Sequence, residues 1–197
     1  MRNLLIGLGI AAAVMLLGFV TFGGMHNQLV AADEQVAGAW GQVQNVYQRR
    51  VDLIPNLVET VKGYASHERQ TLESVINARA KASQVRLSPE ALNDPEALSK
   101  FQQAQQELSG ALSRLLVVVE RYPDLKANQN FLALQSQLEG TENRITVERM
   151  HFNEAAQQFN TLRRSFPTNI VAGLEGFKEK AYFKADEGAA KVPVVKF

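Results

Sequence analysis

The chain of 197 residues contains no cysteine. That excludes disulfides, thiolate nucleophiles and cysteine-based zinc sites together, and it suits an oxidising compartment as well as a reducing one. No charge of one sign dominates: 21 Lys and Arg stand against 20 Asp and Glu, with no basic block to meet nucleic acid. Histidine is scarce, and His26, His67 and His151 fall on separate segments without ligand spacing. His67-Glu68 resembles the start of a metalloprotease helix, but position 71 is Thr, so the second histidine of that motif is missing. No glycine-rich loop follows a strand to hold a phosphate, and no serine has the strand–turn–helix setting of a nucleophile elbow. Acid pairs such as Asp33-Glu34 and Asp186-Glu187 read as solvated faces. No Val/Ile/Thr-rich alternation suggests a sheet, and the one strand-like piece, residues 192–197, is broken by Pro193. The expectation is a protein that is not an enzyme, with no metal, no cofactor, no nucleic-acid partner and no evident small-molecule substrate.

What the chain has in quantity is apolar length. From Leu4 to Phe22 there are 19 residues without a charge. A bilayer core asks for about 20 in a helix, whereas the apolar core of a cleaved signal is about 7–15 long. A membrane anchor over residues 1–24 is the favoured reading. Arg2 precedes the run, and between Met25 and Gln48 there is no Lys or Arg. The positive-inside bias therefore puts the N-terminus in the cytoplasm and the rest outside.

Two long helical seams follow. Residues 29–64 carry Leu29, Asp33, Val36, Trp40, Val43, Tyr47, Arg50, Ile54, Leu57, Val61 and Tyr64 at steps of three and four, the spacing of helix-on-helix packing. The seam keeps register across Pro55, which predicts a kink rather than a fresh start capped by Asp52. A second long seam runs Phe131, Leu134, Leu138, Thr141, Ile145, Glu148, Phe152, Ala155, Phe159, Leu162, Phe166, ending at Pro167. Between them lie two shorter helices. One spans about 66–86 with Leu72, Val75, Ile76 and Ala80 as core. The other runs from an Asp94 cap with Pro95 in its first turn to Tyr122, with Leu98, Phe101, Leu108, Leu112, Leu115 and Val119 as core. Short links make neighbours antiparallel. The predicted fold class is all-α: a transmembrane helix, then an antiparallel up-down four-helix bundle over residues 25–167 with two long and two shorter helices, then a tail, 168–197, packed on the bundle or on the membrane surface.

Charges break both seams. Arg50 and Glu148 each lie near the middle of a long helix, so they are candidates for a buried polar pair that fixes register. Asp33 is expected to meet Arg163 or Arg164 at the rim. The tail mixes Ile170, Val171, Leu174, Phe177, Tyr182 and Phe183 with Lys178, Lys180 and Lys184, which suits either the uncovered stalk of the two long helices or a membrane interface.

The run Arg49-Arg50-Val51-Asp52-Leu53-Ile54-Pro55-Asn56-Leu57-Val58, with Val61-Lys62-Gly63-Tyr64-Ala65 and His67-Glu68 after it, resembles the signature of the bacterial LemA family. Tyr122-Pro123-Asp124-Leu125-Lys126-Ala127-Asn128, Asn130-Phe131, Thr141-Glu142-Asn143-Arg144-Ile145, Phe166-Pro167, Tyr182-Phe183, Pro193 and Phe197 extend the likeness over nearly everything after the apolar run. Where that family often has Tyr-Asn, this chain reads His26-Asn27, Phe152-Asn153 and Phe159-Asn160. The resemblance implies a membrane-anchored helical bundle of the bacterial envelope and carries no settled activity. Among its polar residues, Asp52 and Asn128 read as helix caps. Arg49, Asn56, Lys62, Glu142, Asn143 and Arg144 are candidates for an interaction surface. The functional expectation is a noncatalytic, single-pass membrane scaffold that binds itself or other envelope proteins; the alternative is a lipid-interface protein acting through residues 169–185.

Overall fold

The computed structural model describes residues 2–184; Asp186-Glu187, the strand-like piece at 192–197, Pro193 and Phe197 lie outside the described residues. Among the described residues six α-helices occur in order: α1 (Arg2–Tyr64), α2 (Arg69–Gln84), α3 (Pro95–Val119), α4 (Pro123–Lys126), α5 (Gln129–Arg164) and α6 (Thr168–Glu175), with a 3-10 turn at Pro89–Asn93 before α3. Among the described residues there is no strand.

The 63 residues of α1 form one unbroken helix, so Gly23-Gly24 is no hinge and Asp52 starts no new helix. Its first part is apolar and open, with Leu4 at 71% and Phe19 at 78% exposure. By length and composition α1 is able to cross a membrane. From Leu29 onward the predicted seam is buried, Asp33 and Tyr64 excepted. Pro55 sits inside the helix and leaves the Val51 carbonyl without its usual amide donor. Arg79 of α2 supplies one: its Nε–H donates to Val51 O at 3.0 Å. A side chain from the next helix thus satisfies a buried acceptor that the proline orphans.

From Leu29 onward α1 packs on α5, and the two run antiparallel. Tyr64 Oη accepts from Asn128 Nδ2 at one end, and Arg50 meets Glu142 in the middle. α2 packs on α3 and on α1. Asp94 accepts from the Glu96 amide and Asn128 from the Phe131 amide, so both are N-caps, whereas Asp52 is exposed mid-helix and accepts from Gln48. In α2, Ile76 and Ala80 face solvent; Ala78 and Ala82 are buried instead, beside Leu72 and Val75. Phe166, predicted to close the second seam, lies beyond the end of α5 and is 81% exposed.

The core falls into two clusters. The distal one joins α1 from Val51 to α2, to the C-terminal part of α3, and to α4 and the start of α5. The proximal one joins Leu29–Tyr47 of α1 to Leu87, Leu92, Leu98, Phe101, the C-terminal half of α5, α6 and the tail. The stalk expected to be bare is therefore covered, because α6 and residues 177–184 lie on it.

Candidate functional site

The boundary between the two cores is a polar layer. α1 brings Arg50, one heptad step after Val43 and near the middle of the seam between Leu29 and Tyr64; the residue is 1% exposed. Arg50 Nη1 donates to Glu142 Oε2 and to Ser109 Oγ, both at 2.9 Å, and Nη2 donates to Gln105 Oε1 at 2.6 Å. Gln105 Nε2 in turn donates to the Ala82 carbonyl at the end of α2. The guanidinium lies 5.1 Å from the Tyr47 ring centre, and its Nε finds no acceptor among the described residues. One cation thus ties four helices at one level.

Arg50 and Glu148, the predicted pair, are not brought together. Glu148 lies 3.4 Å from His151 on its own helix, and the carboxylate that reaches Arg50 is Glu142, six positions earlier. Glu142 flanks the seam beside Thr141, so its carboxylate stays 53% exposed and hydrated while an arginine long enough to cross the seam meets it. Arg49, Asn56, Lys62, Asn143 and Arg144 are exposed, as a surface candidate requires, and Arg49 and Asn56 share a face of α1. Glu142, the sixth of that set, is engaged by Arg50.

The second constellation is a strap, residues 177–184. α6 ends at Gly176, whose φ of 76° lies in the left-handed region, and the Phe177 amide bonds back to Ala172 O. That turn, which a side chain would strain, sends the chain across α5. Two asparagines receive it. Asn160 Nδ2 donates to Lys180 O at 2.9 Å while the Lys180 amide donates to Asn160 Oδ1 at 2.8 Å. Asn153 repeats the pair with Phe183, at 3.1 and 2.9 Å. Seven helical residues rise about 10.5 Å and three extended ones span about 10 Å, so the spacings match. Each asparagine follows a phenylalanine that is 0% exposed, Phe152 or Phe159. The helix thus buries one ring per heptad and turns the neighbouring amide to the strap.

The strap closes the proximal core. Phe183 stacks on Trp40 at 6.1 Å and meets Phe152 edge-on at 5.4 Å, and Trp40 Nε1 donates to Leu87 O. Lys180 Nζ pairs with Asp33 Oδ1 at 2.6 Å, so Asp33 is answered from the strap and not by Arg163, whose Nε–H goes to Phe177 O. Lys184 O accepts from both Gln102 and Arg149. At the base, His26 Nδ1 lies 2.7 Å from Glu175 of α6.

The remaining chemistry is sparse. Among the described residues no group of three His, Asp or Glu side chains is placed to hold a metal. His67 is exposed, and Glu68 accepts from Tyr122 Oη and Arg121, clasping the start of α2 to the end of α3. Burial, and then the Glu68 carboxylate beside it, push the Tyr122 phenol up from the ordinary tyrosine range. An open cleft of about 440 Å³ between strap and α3 is lined by Ser99, Gln102, Glu179, Tyr182 and Lys184, with no nucleophile–base pair among them. The arrangement binds protein segments to one another.

Sequence reasoning did not assign the strap contacts, although Phe-Asn recurring at a seven-residue interval was visible. The LemA family model matches residues 39–197. Protein LemA of Metamycoplasma hominis is 25% identical over 169 residues, covering 86% of this chain and 73% of its own length. Magnetosome protein MamQ 2 of Paramagnetospirillum magneticum is 25% identical, and magnetosome protein MamQ of Magnetospirillum gryphiswaldense 24%, each covering 86% of this chain and 68% of the relative. The family model takes in the Arg50 layer, both strap asparagines and the strap itself, and the chain belongs to the LemA family.

Proposed function

We propose that the chain is a noncatalytic scaffold of the bacterial envelope, anchored by a single pass and built as an antiparallel four-helix bundle of α1, α2, α3 and α5. The N-terminus is cytoplasmic and the helical domain extracytoplasmic, following the lone Arg2 before the span and the lack of basic residues after it. The observation that carries this reading is the continuity of α1, exposed and apolar from Leu4 to Phe22 and buried in the domain core from Leu29 on. An anchor that passes into a packed core without a hinge transmits position and orientation. At 1.5 Å per residue, residues 24–64 carry the distal end about 60 Å from the bilayer.

The partner is another copy or another envelope protein, met through the exposed polar residues Arg49, Asn56, Lys62, Asn143 and Arg144. The stalk of the two long helices, uncovered in the sequence reading, is filled by α6 and the strap and leaves a partner no apolar face there. The test is photocrosslinking in intact membranes from a reactive residue at Lys62 or Asn143, read by mass spectrometry. Products with this chain or with a second envelope protein are expected, and crosslinks to nothing at either position overturn the scaffold.

A further inference from the structure

α6 is apolar on both sides. Thr168, Val171 and Ala172 are buried against α1 and α5, yet Ile170 and Leu174 on the other face are 54% and 74% exposed, and Phe166 just before the helix is 81% exposed. Large apolar side chains on two opposite faces of a helix ask for an apolar environment on both. Here the protein supplies one side only.

The position of α6 names the second environment. Nineteen residues from Leu4 to Phe22 rise about 28 Å, the thickness of a hydrocarbon core of about 30 Å. α6 is fastened to α1 just above that end: Glu175 bonds His26, and Leu29 shares a core with Val171 and Ala172. His26 stands four residues, about 6 Å, beyond Phe22. The headgroup region on each side of a bilayer is about 5–7 Å deep. Arg164 and Lys178, both exposed, flank the helix in the chain and are of the charge that lipid phosphates attract. Phe19 and Phe22 on α1 carry exposed apolar surface up to the start of that layer.

We propose that α6 lies in the headgroup layer of the bilayer that α1 crosses, with Phe166, Ile170 and Leu174 inserted at the acyl boundary. This rests on the membrane span proposed above. Two attachments, one spanning and one lying flat, fix the tilt and rotation of α1, where a lone helix would be free to swivel. The strap that follows Gly176 leaves this layer and climbs the domain, so the tail divides between lipid and protein.

The absence of cysteine allows a direct test. Full-length chains carrying Ile170→Cys, Leu174→Cys, Val14→Cys or Val117→Cys take a nitroxide label and are reconstituted in vesicles of zwitterionic and anionic phospholipid. Collision with oxygen, which partitions into lipid, is compared with collision with a water-soluble nickel chelate. The Val14 label is expected to favour oxygen strongly, the Val117 label on α3 the chelate, and the two α6 labels oxygen, less strongly than Val14. Labels on α6 that behave as at Val117, or that neither reagent reaches because protein covers them, overturn the inference and leave the span standing if Val14 is deep. A Val14 label in water overturns both. Because positions 170 and 174 are exposed, the labels leave folding intact, which circular dichroism of each variant checks.

Discussion

The Arg50 guanidinium depends on Glu142 for its only counter-charge among the described residues, and the dependence is asymmetric. Glu142→Ala leaves a buried cation held by neutral groups, whereas Arg50→Met removes the cation and frees a carboxylate that is already half in water. Glu142→Ala is expected to cost about 1–3 kcal/mol and Arg50→Met less, since well-packed apolar replacements of buried ions are often neutral. Urea unfolding followed by circular dichroism measures both, and the reverse order contradicts this account. Arg79 and Pro55 give a sharper case. Arg79→Met unpairs the Val51 carbonyl and is expected to cost about 1 kcal/mol. With Pro55→Ala, the residue 55 amide takes over that acceptor, so Arg79→Met becomes nearly neutral. A double-mutant cycle with coupling near zero rejects the link. The interruptions of both seams were legible in the sequence; the partner of Arg50 was not. Seam positions record what faces the opposite helix, while a long side chain ends on a flanking residue, here Glu142.

Among the elements, the strap behaves unlike the helices. It has no periodicity, and from Lys180 to Lys184 its main-chain hydrogen bonds run to other elements, among them the asparagine side chains of α5 and the Leu92 carbonyl, so its stability is tertiary. Asn160→Ala orphans the buried amide and carbonyl of Lys180, and faster hydrogen exchange is expected at the amides of Lys180 and Phe183, with α2 and α3 unchanged. Phe183→Ala empties a site 6% exposed and is expected to cost about 3–5 kcal/mol. Because Trp40 is the chain's single tryptophan, its emission then shifts to the red without ambiguity. An unshifted spectrum places water elsewhere. The helices were legible from period and caps: Asp94 with Pro95 and Asn128 do in the structure what their residue types suggest. Ile76, Ala80 and Phe166 were not: the stripe in α2 is weak, and Phe166 comes after Arg164, where α5 has ended and its period no longer applies.

At the scale of the molecule, α1 is a rod of about 95 Å whose lower third is apolar and open, and everything else is fastened to its upper part. Val14→Arg puts a charge at the centre of the run, at a cost to insertion of about 2.5–3.5 kcal/mol. A larger soluble fraction after carbonate extraction is expected, with helix content unchanged; an unshifted fraction argues against the span. The sequence by itself determined the helical class, the anchor-like run, the two long seams and the family, because each of these is written in the spacing or identity of neighbouring residues along one element. Only the tertiary structure decided which carboxylate answers Arg50, which side chain repairs Pro55, and that the tail folds back over Trp40 and leaves one face of α6 bare. Those outcomes depend on which groups of distant segments arrive at the same height, and helical period carries no information about that.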